Sequence, residues 1–348
     1  MQAPVEQWEE SQHSLPAELH FWLLSRYITG AQREELAQRL VERGIDRDTA
    51  IHAISSLERD PEIAECRAAG QLSRKLASLA DTKLALAKLS RGNADIPRWP
   101  CVSRQDFLEN YYSPNRPVIL TGIMSQWRAL HRWTPDYLKA VCGKEPVQVM
   151  MGRESDPQYE INAHAHKKEM PFQDYVDLIA NVSQSNDYYM VATNYFLYRP
   201  CAAPLFEDMD IFPEYLTAER PCGDLWLGPA GTFTPLHHDM VNVLFVQVKG
   251  RKQFTLVSPE HTHLLRNKIG IFSEVNPEAP EFEHAPESKL ITRITFVLNP
   301  GEVLFIPVGW WHCVRSLDLS MSLSFSNFVF PNEFDIYRPE WGTGNKKK

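Results

Sequence analysis

The rhythm of apolar and polar positions changes once along the chain, near residue 91. From residue 15 to 90 apolar side chains recur at helical spacing. Leu36, Leu40 and Val41 form one stripe, Gly44 supplies a stop, and Asp46 can cap a following helix that carries Ile51, Ile54 and Leu57. Leu72, Leu76 and Leu79 continue the pattern, and these rows are expected to pack inside a helical core. The stretch RGNADIPRWP, residues 91–100, breaks the periodicity with Gly, Asn and Pro and reads as a linker. Beyond it, short apolar runs alternate with turn residues: PVILTG (117–122), PVQVMMG (146–152), YYMVATN (188–194), DLWLG (224–228), VNVLFVQV (241–248), FTLVSP (254–259), ITFVL (294–298), EVLFIP (302–307) and MSLSFSNF (321–328). Two helices are expected among them, near SRQDFLENYY and MPFQDYVDLIA. Many short strands separated by turn signals predict a sandwich or a barrel closed on itself. The expected fold class is mainly β with α. A helical N-terminal domain (1–95) precedes a barrel (96–335), and a short tail (336–348) ending in a basic NKKK is expected to fray.

Composition narrows the function. The 348 residues, 43% of them hydrophobic, suffice to bury a full core without staples. A net charge of -8 argues against a protein whose main task is gripping a phosphate backbone, so nucleic acid is a minor candidate partner. The 6 cysteines form no CxxC pair, which excludes a zinc finger and suits reduced thiols in a cytoplasmic setting. The opening MQAPVEQWEESQHS is acidic and lacks an apolar core, and no later segment has the length to span a bilayer, so no membrane partner is expected.

Candidate chemistry is concentrated in TPLHHDMVNVLFVQVKGRK, residues 234–252. In a strand, residues i and i+2 share a face, so His237 and Asp239 can aim into a barrel while His238 points away. A third ligand must come from elsewhere, and His312 in IPVGWWHCVRSL is the best candidate. Two histidines and one carboxylate on one face of an ion are the ligand set of non-haem Fe(II) oxygenases, whereas zinc prefers a closed tetrahedron or a single open site. A lone HxD pair is common by chance, and a histidine beside tryptophans is more often a core residue. The pairing of both at strand positions is what shifts the balance. Lys252 begins a run whose inward set would be Lys252, Phe254 and Leu256. A buried cation there requires an anion, and the distal carboxylate of 2-oxoglutarate is a natural partner. A solvated turn lysine is the competing reading, and spacing leaves both open. Thr234 can add a hydroxyl donor to the same carboxylate. The pairs His164/His166 and His261/His263 are assigned to solvated loops without carboxylate partners, the first pair with some prospect of touching substrate.

The segments WLGPAGTFTPLHHD, VQVKGRK, EVLFIPVGWWH and SLDLSMSLSF resemble the JmjC-type cupin family of Fe(II)/2-oxoglutarate oxygenases. The likeness is greatest to its small hydroxylase branch, which includes the asparaginyl hydroxylase called factor inhibiting hypoxia-inducible factor. It covers residues 100 to 332, including RPVILTG and Trp127, and leaves residues 1 to 90 uncovered. The resemblance implies a double-stranded β-helix, the jelly-roll or cupin barrel. It also implies a metal triad of His237, Asp239 and His312, and a 2-oxoglutarate site formed by Lys252, Thr234, Tyr189 (or the adjoining Tyr188) and Asn327. Where the family often carries an asparagine after the first ligand, this chain has Val243, with Asn242 one place earlier. Where many other 2-oxoglutarate enzymes place an arginine after the distal histidine, Ser322 stands, which leaves the lysine as anchor.

The implied activity is that of a dioxygenase using Fe(II), 2-oxoglutarate and O2, releasing succinate and carbon dioxide and hydroxylating a substrate carbon. Demethylases of the wider family tend to have a glutamate as carboxylate ligand and zinc-bound reader domains. Asp239 and the lack of a zinc pattern therefore favour hydroxylation of a protein or peptide side chain. Alternatives are a hydroxylase of a tRNA nucleoside or small metabolite, a non-catalytic cupin interaction module, and a zinc or manganese cupin isomerase. The helical domain would recognise a partner or form a homodimer.

Overall fold

The computed structural model describes residues 15–91, 95–192, 194–218 and 222–340. The acidic opening segment and the NKKK tail lie outside them. Contacts divide the chain into two units, Met1–Ser90 and Arg91–Lys348. No helix among the described residues is long and apolar enough to cross a membrane.

The first unit contains α1 (Ala17–Ile28), α2 (Arg33–Val41), α3 (Arg47–Arg59) and α4 (Pro61–Arg91). Asp46 caps α3, its carboxylate accepting from the amides of Asp48 and Thr49 at 3.0 and 2.9 Å. Leu23, Tyr27, Leu36, Leu40, Ala50, Ile54 and Leu57 form the core. α4 is tied on by Arg67, whose guanidinium lies 4.0 Å over the Tyr27 ring and donates to the Ala31 carbonyl at 3.1 Å. The leucines that continue the helical rhythm do not join this core: Leu72, Leu76 and Leu79 are more than half exposed, and Val41 is also exposed. Helical periodicity reports which positions share a face, but the burial of that face depends on a neighbour that the first unit does not provide.

The described residues of the second unit form twelve strands. β1 (Arg98–Trp99), β2 (Val118–Leu120), β5 (Asp224–Gly228), β7 (Val243–Lys249), β10 (Val303–Ile306) and β12 (Ser320–Phe325) form a six-stranded sheet in the order β1-β2-β10-β7-β12-β5. β6 (Phe233–His238), β8 (Lys252–Val257), β9 (Arg293–Leu298) and β11 (Trp311–Ser316) form a second sheet in the order β6-β11-β8-β9. β3 (Pro146–Met150) and β4 (Lys167–Pro171) pair separately. From β5 to β8 the chain alternates between the two large sheets, and it does so again from β9 to β12. Their facing side chains meet: Phe245 of β7 sits edge-on to Phe254 of β8 at 5.1 Å, within a cluster that includes Ile119, Leu304, Ile306 and Leu256. A second, larger cluster joins Val246, Phe305 and Leu323 to two helices, α5 (Pro135–Cys142) and α6 (Phe172–Ala180). Trp127 is buried in that cluster, donating to the Asp210 carbonyl at 2.7 Å and stacking on Phe212.

The step from β7 to β8 passes through Gly250, whose φ of +70° and missing Cβ let the turn pass close to the Leu319 carbonyl; a Cβ would stand 2.2 Å from that oxygen. Arg251 then anchors the turn with two bonds to the Asp318 carboxylate, at 2.8 and 3.1 Å.

Several local expectations need correction. The described residues of YYMVATN form no strand and make isolated bridges at Tyr189 and Met190. The linker contains a strand, since Arg98 and Trp99 pair in parallel with β2; residues 92–94 lie outside the description. The helix expected at SRQDFLENYY is present, α-helical over Arg104–Phe107 and π-helical over Leu108–Tyr112. α5 lies in a segment with no expected element, and β4 begins inside the stretch around His164 and His166 assigned to a loop.

Candidate active site

Strand register brings the first two groups together. β6 and β11 are antiparallel neighbours with His237 directly opposite His312, and their imidazole centroids are 4.1 Å apart. Asp239 lies just past the end of β6 and places Oδ2 3.7 Å from His312 Nε2. One ligand atom from each of the three lies within 4.8 Å of the others, and among the described residues this is the one such group of metal-binding side chains. His238 points away, its ring edge-on to Trp311 at 4.6 Å.

Hydrogen bonding orients the rings. His237 Nδ1 is 2.8 Å from the Pro235 carbonyl, and His312 Nδ1 is 3.0 Å from the Trp310 carbonyl. A carbonyl only accepts, so each Nδ1 carries the proton and each Nε2 is left with a lone pair. Burial, and secondarily His312, pulls the His237 pKa down to about 4; burial does the same to His312. Both rings are therefore neutral near pH 7. Burial pushes the Asp239 carboxyl upward, and His237 and His238 oppose that shift. Three electron-pair donors converging without a cation repel one another, so the donor set fits a divalent metal with open positions.

The triad lines one end of a cavity of about 440 Å³, and Lys252, Thr234 and Tyr189 line it as well. Lys252 is 1% exposed, so it is not a solvated turn lysine. Its Nζ donates to Tyr189 Oη at 2.7 Å and sits 5.2 to 5.9 Å from the ring centroids of Tyr189, Phe245 and Trp226. Burial, reinforced by Arg153, lowers its pKa to about 7. Of the two adjoining tyrosines, it is Tyr189 that meets the lysine. Thr234 and His237 are three positions apart and would face opposite ways in a regular strand. The pairing of β6 with β11 shifts register between His312 and Val314, and this bulge lets both side chains line one cavity.

Other candidates lie elsewhere. The Asn327 side-chain amide donates to the carbonyl and hydroxyl of Thr217, at 3.1 and 3.2 Å, and does not line the cavity. Asn242 accepts from the Val308 amide at 2.8 Å, while Val243 lines the cavity, so an aliphatic wall stands where the family's amide would be. Ser322 is buried against Gln247 at 2.8 Å. Two histidines assigned to solvated loops are not solvated. His166 is buried with Nε2 3.0 Å from Asp156, a carboxylate partner ten positions earlier in the chain. His261 is 2% exposed, and its Nε2 accepts from the Thr292 amide at 3.1 Å.

Two neighbours of the site had no signal in the sequence. Arg153 is fully buried; its Nη2 donates to Glu160 at 2.9 Å and to the Phe233 carbonyl at 2.8 Å, and its guanidinium stands 5.2 Å from the Tyr189 ring centroid. Glu160 lines the cavity; burial raises its pKa, and Arg153 opposes the rise. Both come from MGRESDPQYE, a stretch whose polarity reads as a loop. Phe272, 5.7 Å from the His237 ring, adds a wall from the segment between β8 and β9.

Comparison with known proteins gives this geometry a context. The chain is 34% identical over 248 residues to lysine-specific demethylase 8 of Danio rerio, covering 66% of this chain and 58% of that protein. It is 32% identical over 240 residues to lysine-specific demethylase 8 of Xenopus tropicalis, covering 66% and 52%. It is 32% identical over 244 residues to lysine-specific demethylase JMJ30 of Arabidopsis thaliana, covering 64% and 52%. The chain thus spans a little over half the length of these relatives, whose names differ from that of the asparaginyl hydroxylase to which the motifs were likened. Residues 104–335 match the model of the cupin-like domain, which is most of the chain, and the protein belongs to the cupin-like domain family.

Proposed function

We propose that the protein is an Fe(II)- and 2-oxoglutarate-dependent dioxygenase that hydroxylates a side chain of a protein or peptide, and that its two large sheets are the halves of a double-stranded β-helix. The observation that carries the reading is a single cavity containing both the His237, Asp239 and His312 cluster and a buried lysine, Lys252. A zinc or manganese isomerase would need the first feature but gives Lys252 no task.

His237, Asp239 and His312 would hold the iron, which when bound supplies the redox chemistry that couples O2 and 2-oxoglutarate to oxygen insertion. Lys252 would receive the distal carboxylate, with the Tyr189 and Thr234 hydroxyls as further donors. Charge neutralisation by that carboxylate would remove the cost of burying the ammonium. Trp226, Phe245 and Phe254 would keep water from the reacting centre and hold the dicarboxylate in one orientation. None of these steps requires a side chain to act as general base.

The names of the relatives favour a second outcome of the same chemistry, removal of a methyl group from lysine, since hydroxylation of an N-methyl carbon precedes its loss. Iron-loaded protein incubated with labelled 2-oxoglutarate should release succinate, and Lys252→Ala should weaken co-substrate affinity far more than metal affinity. No turnover with ascorbate and candidate peptides would overturn the dioxygenase reading. Mass spectrometry of peptides then separates the outcomes: a gain of one oxygen marks hydroxylation, and loss of a methylene marks demethylation.

A further inference from the structure

The helical unit contains a groove of about 790 Å³ lined by four arginines from separate parts of the chain: Arg26 on α1, Arg39 on α2, Arg43 just after it, and Arg74 on α4. Glu35 is the one carboxylate among the described residues lining it. The chain as a whole is acidic, with a net charge of -8, so this concentration of positive charge is a local feature and not a consequence of composition. Like charges gathered around one concavity raise its potential and favour an anion.

Two of the four are braced. Arg43 stacks on the Trp22 ring at 4.1 Å and donates to the Arg39 carbonyl at 3.3 Å. Arg74 donates to the Thr29 carbonyl and packs against Gly30, whose missing Cβ leaves room; a Cβ there would stand 2.8 Å from Arg74 Nη1. Among the described residues Arg39 has an exposed ion pair with Glu42, at 3.6 Å, a contact too long and too solvated to neutralise it firmly. The groove therefore combines fixed and adjustable guanidinium forks, the geometry that matches adjacent anionic oxygens. Arg43 already covers a face of Trp22, the aromatic ring in the lining, so little stacking surface is left for a base, and a nucleic acid is disfavoured.

We infer that this groove is a docking site for an acidic peptide segment of a partner protein, one bearing clustered phosphoserine side chains. The site lies within the helical unit and does not depend on the chemistry of the β-unit.

The test uses the full chain and fluorescence anisotropy with three labelled peptides of one sequence, carrying several phosphoserines, aspartates in their place, or serines. The phosphoserine peptide should bind at least about tenfold tighter than the serine peptide and tighter than the aspartate peptide, and an aspartate peptide that binds more tightly would overturn the assignment. Binding should weaken as salt is raised. The double variant Arg26→Gln/Arg39→Gln changes two exposed side chains and should lose about tenfold or more in affinity with an unchanged thermal midpoint. Arg26→Lys/Arg39→Lys, which keeps charge but not the forks, should fall between. Equal binding of all three peptides, an unaffected double variant, or tighter binding of a single-stranded oligonucleotide of matched charge would each overturn the inference.

Discussion

Replacing Lys252 by Met should make the ligand-free protein relatively more stable in acid than in base. In the folded chain burial lowers the lysine from 10.5 to about 7. At roughly 1.4 kcal/mol per unit, keeping the ammonium inside costs about 5 kcal/mol once both states are fully protonated. The direction follows from proton counting. Between about pH 7 and pH 10.5 the unfolded chain binds more protons than the folded one, so this group's contribution to stability rises with pH through that window and is least favourable below it. Methionine fills similar space without a charge and removes the whole dependence. Its own defect is the loss of the donor to Tyr189 Oη, on the order of 1–3 kcal/mol. Burial pushes the Tyr189 pKa upward, so that defect does not vary with pH in the range tested.

The pH-dependent part isolates the effect. From about pH 6 to about pH 9 the stability difference between Lys252→Met and the parent should shift by about 2–3 kcal/mol against the variant, as the parent lysine is relieved of its proton. Urea unfolding followed by circular dichroism at both pH values gives the two differences, and every other titrating group common to both proteins cancels. A difference that stays constant across the range would mean that the lysine is not charged at a cost, and the reasoning about an anion-seeking site would fail.

Three further expectations are open to direct measurement. Tyr189→Phe keeps the ring beside Lys252 but loses the hydroxyl, and calorimetric titration should find 2-oxoglutarate bound about tenfold more weakly, with metal affinity unchanged; equal affinity would refute its role. Asp239→Ala should abolish the rise in thermal midpoint that Mn(II) gives the parent, about 3 kcal/mol of stabilisation at a hundredfold excess over Kd; a retained shift would place the metal elsewhere. Because burial lowers His237 and His312 from 6.5 to about 4, the metal-free chain should lose stability as pH falls through that interval, and His237→Gln/His312→Gln should flatten this slope in denaturant titrations.

The parts of this fold legible in the sequence are those where a local rule and the tertiary outcome coincide. Asp46 could be read as a cap because capping is decided by the next three residues. His237 and Asp239 could be assigned one face because the i, i+2 relation is local, and it carries over the one step past the end of β6 at which Asp239 lies. Lys252 could be placed only as one of two alternatives: a lysine after a KGR turn is solvated or buried according to whether β8 leaves its neighbour's sheet, and that depends on Gly250 and the Asp318 clasp. Arg153 and Glu160 were invisible, since their burial depends on Phe233 and Asn186, which are distant in sequence. His166 and His261 were misread for the same reason: polar neighbours in sequence do not report what covers a ring in space.

The site also explains why a stable chain would carry such arrangements. A buried ammonium, a buried guanidinium and three converging electron-pair donors all destabilise a fold that has nothing bound. Arg153 is offset within the chain by Glu160, but among the described residues the side-chain hydrogen bond of Lys252 goes to a neutral phenol, which supplies no counter-charge. The triad is likewise incomplete, because its two imidazoles are neutral and its carboxylate is driven toward protonation. Each group lacks a counterpart of opposite kind, one an anion and the other a cation. A divalent metal and a dicarboxylate bound in the same cavity would supply both and convert two sources of instability into binding free energy, a coupling that predicts greater stabilisation by the two ligands together than by the sum of each alone.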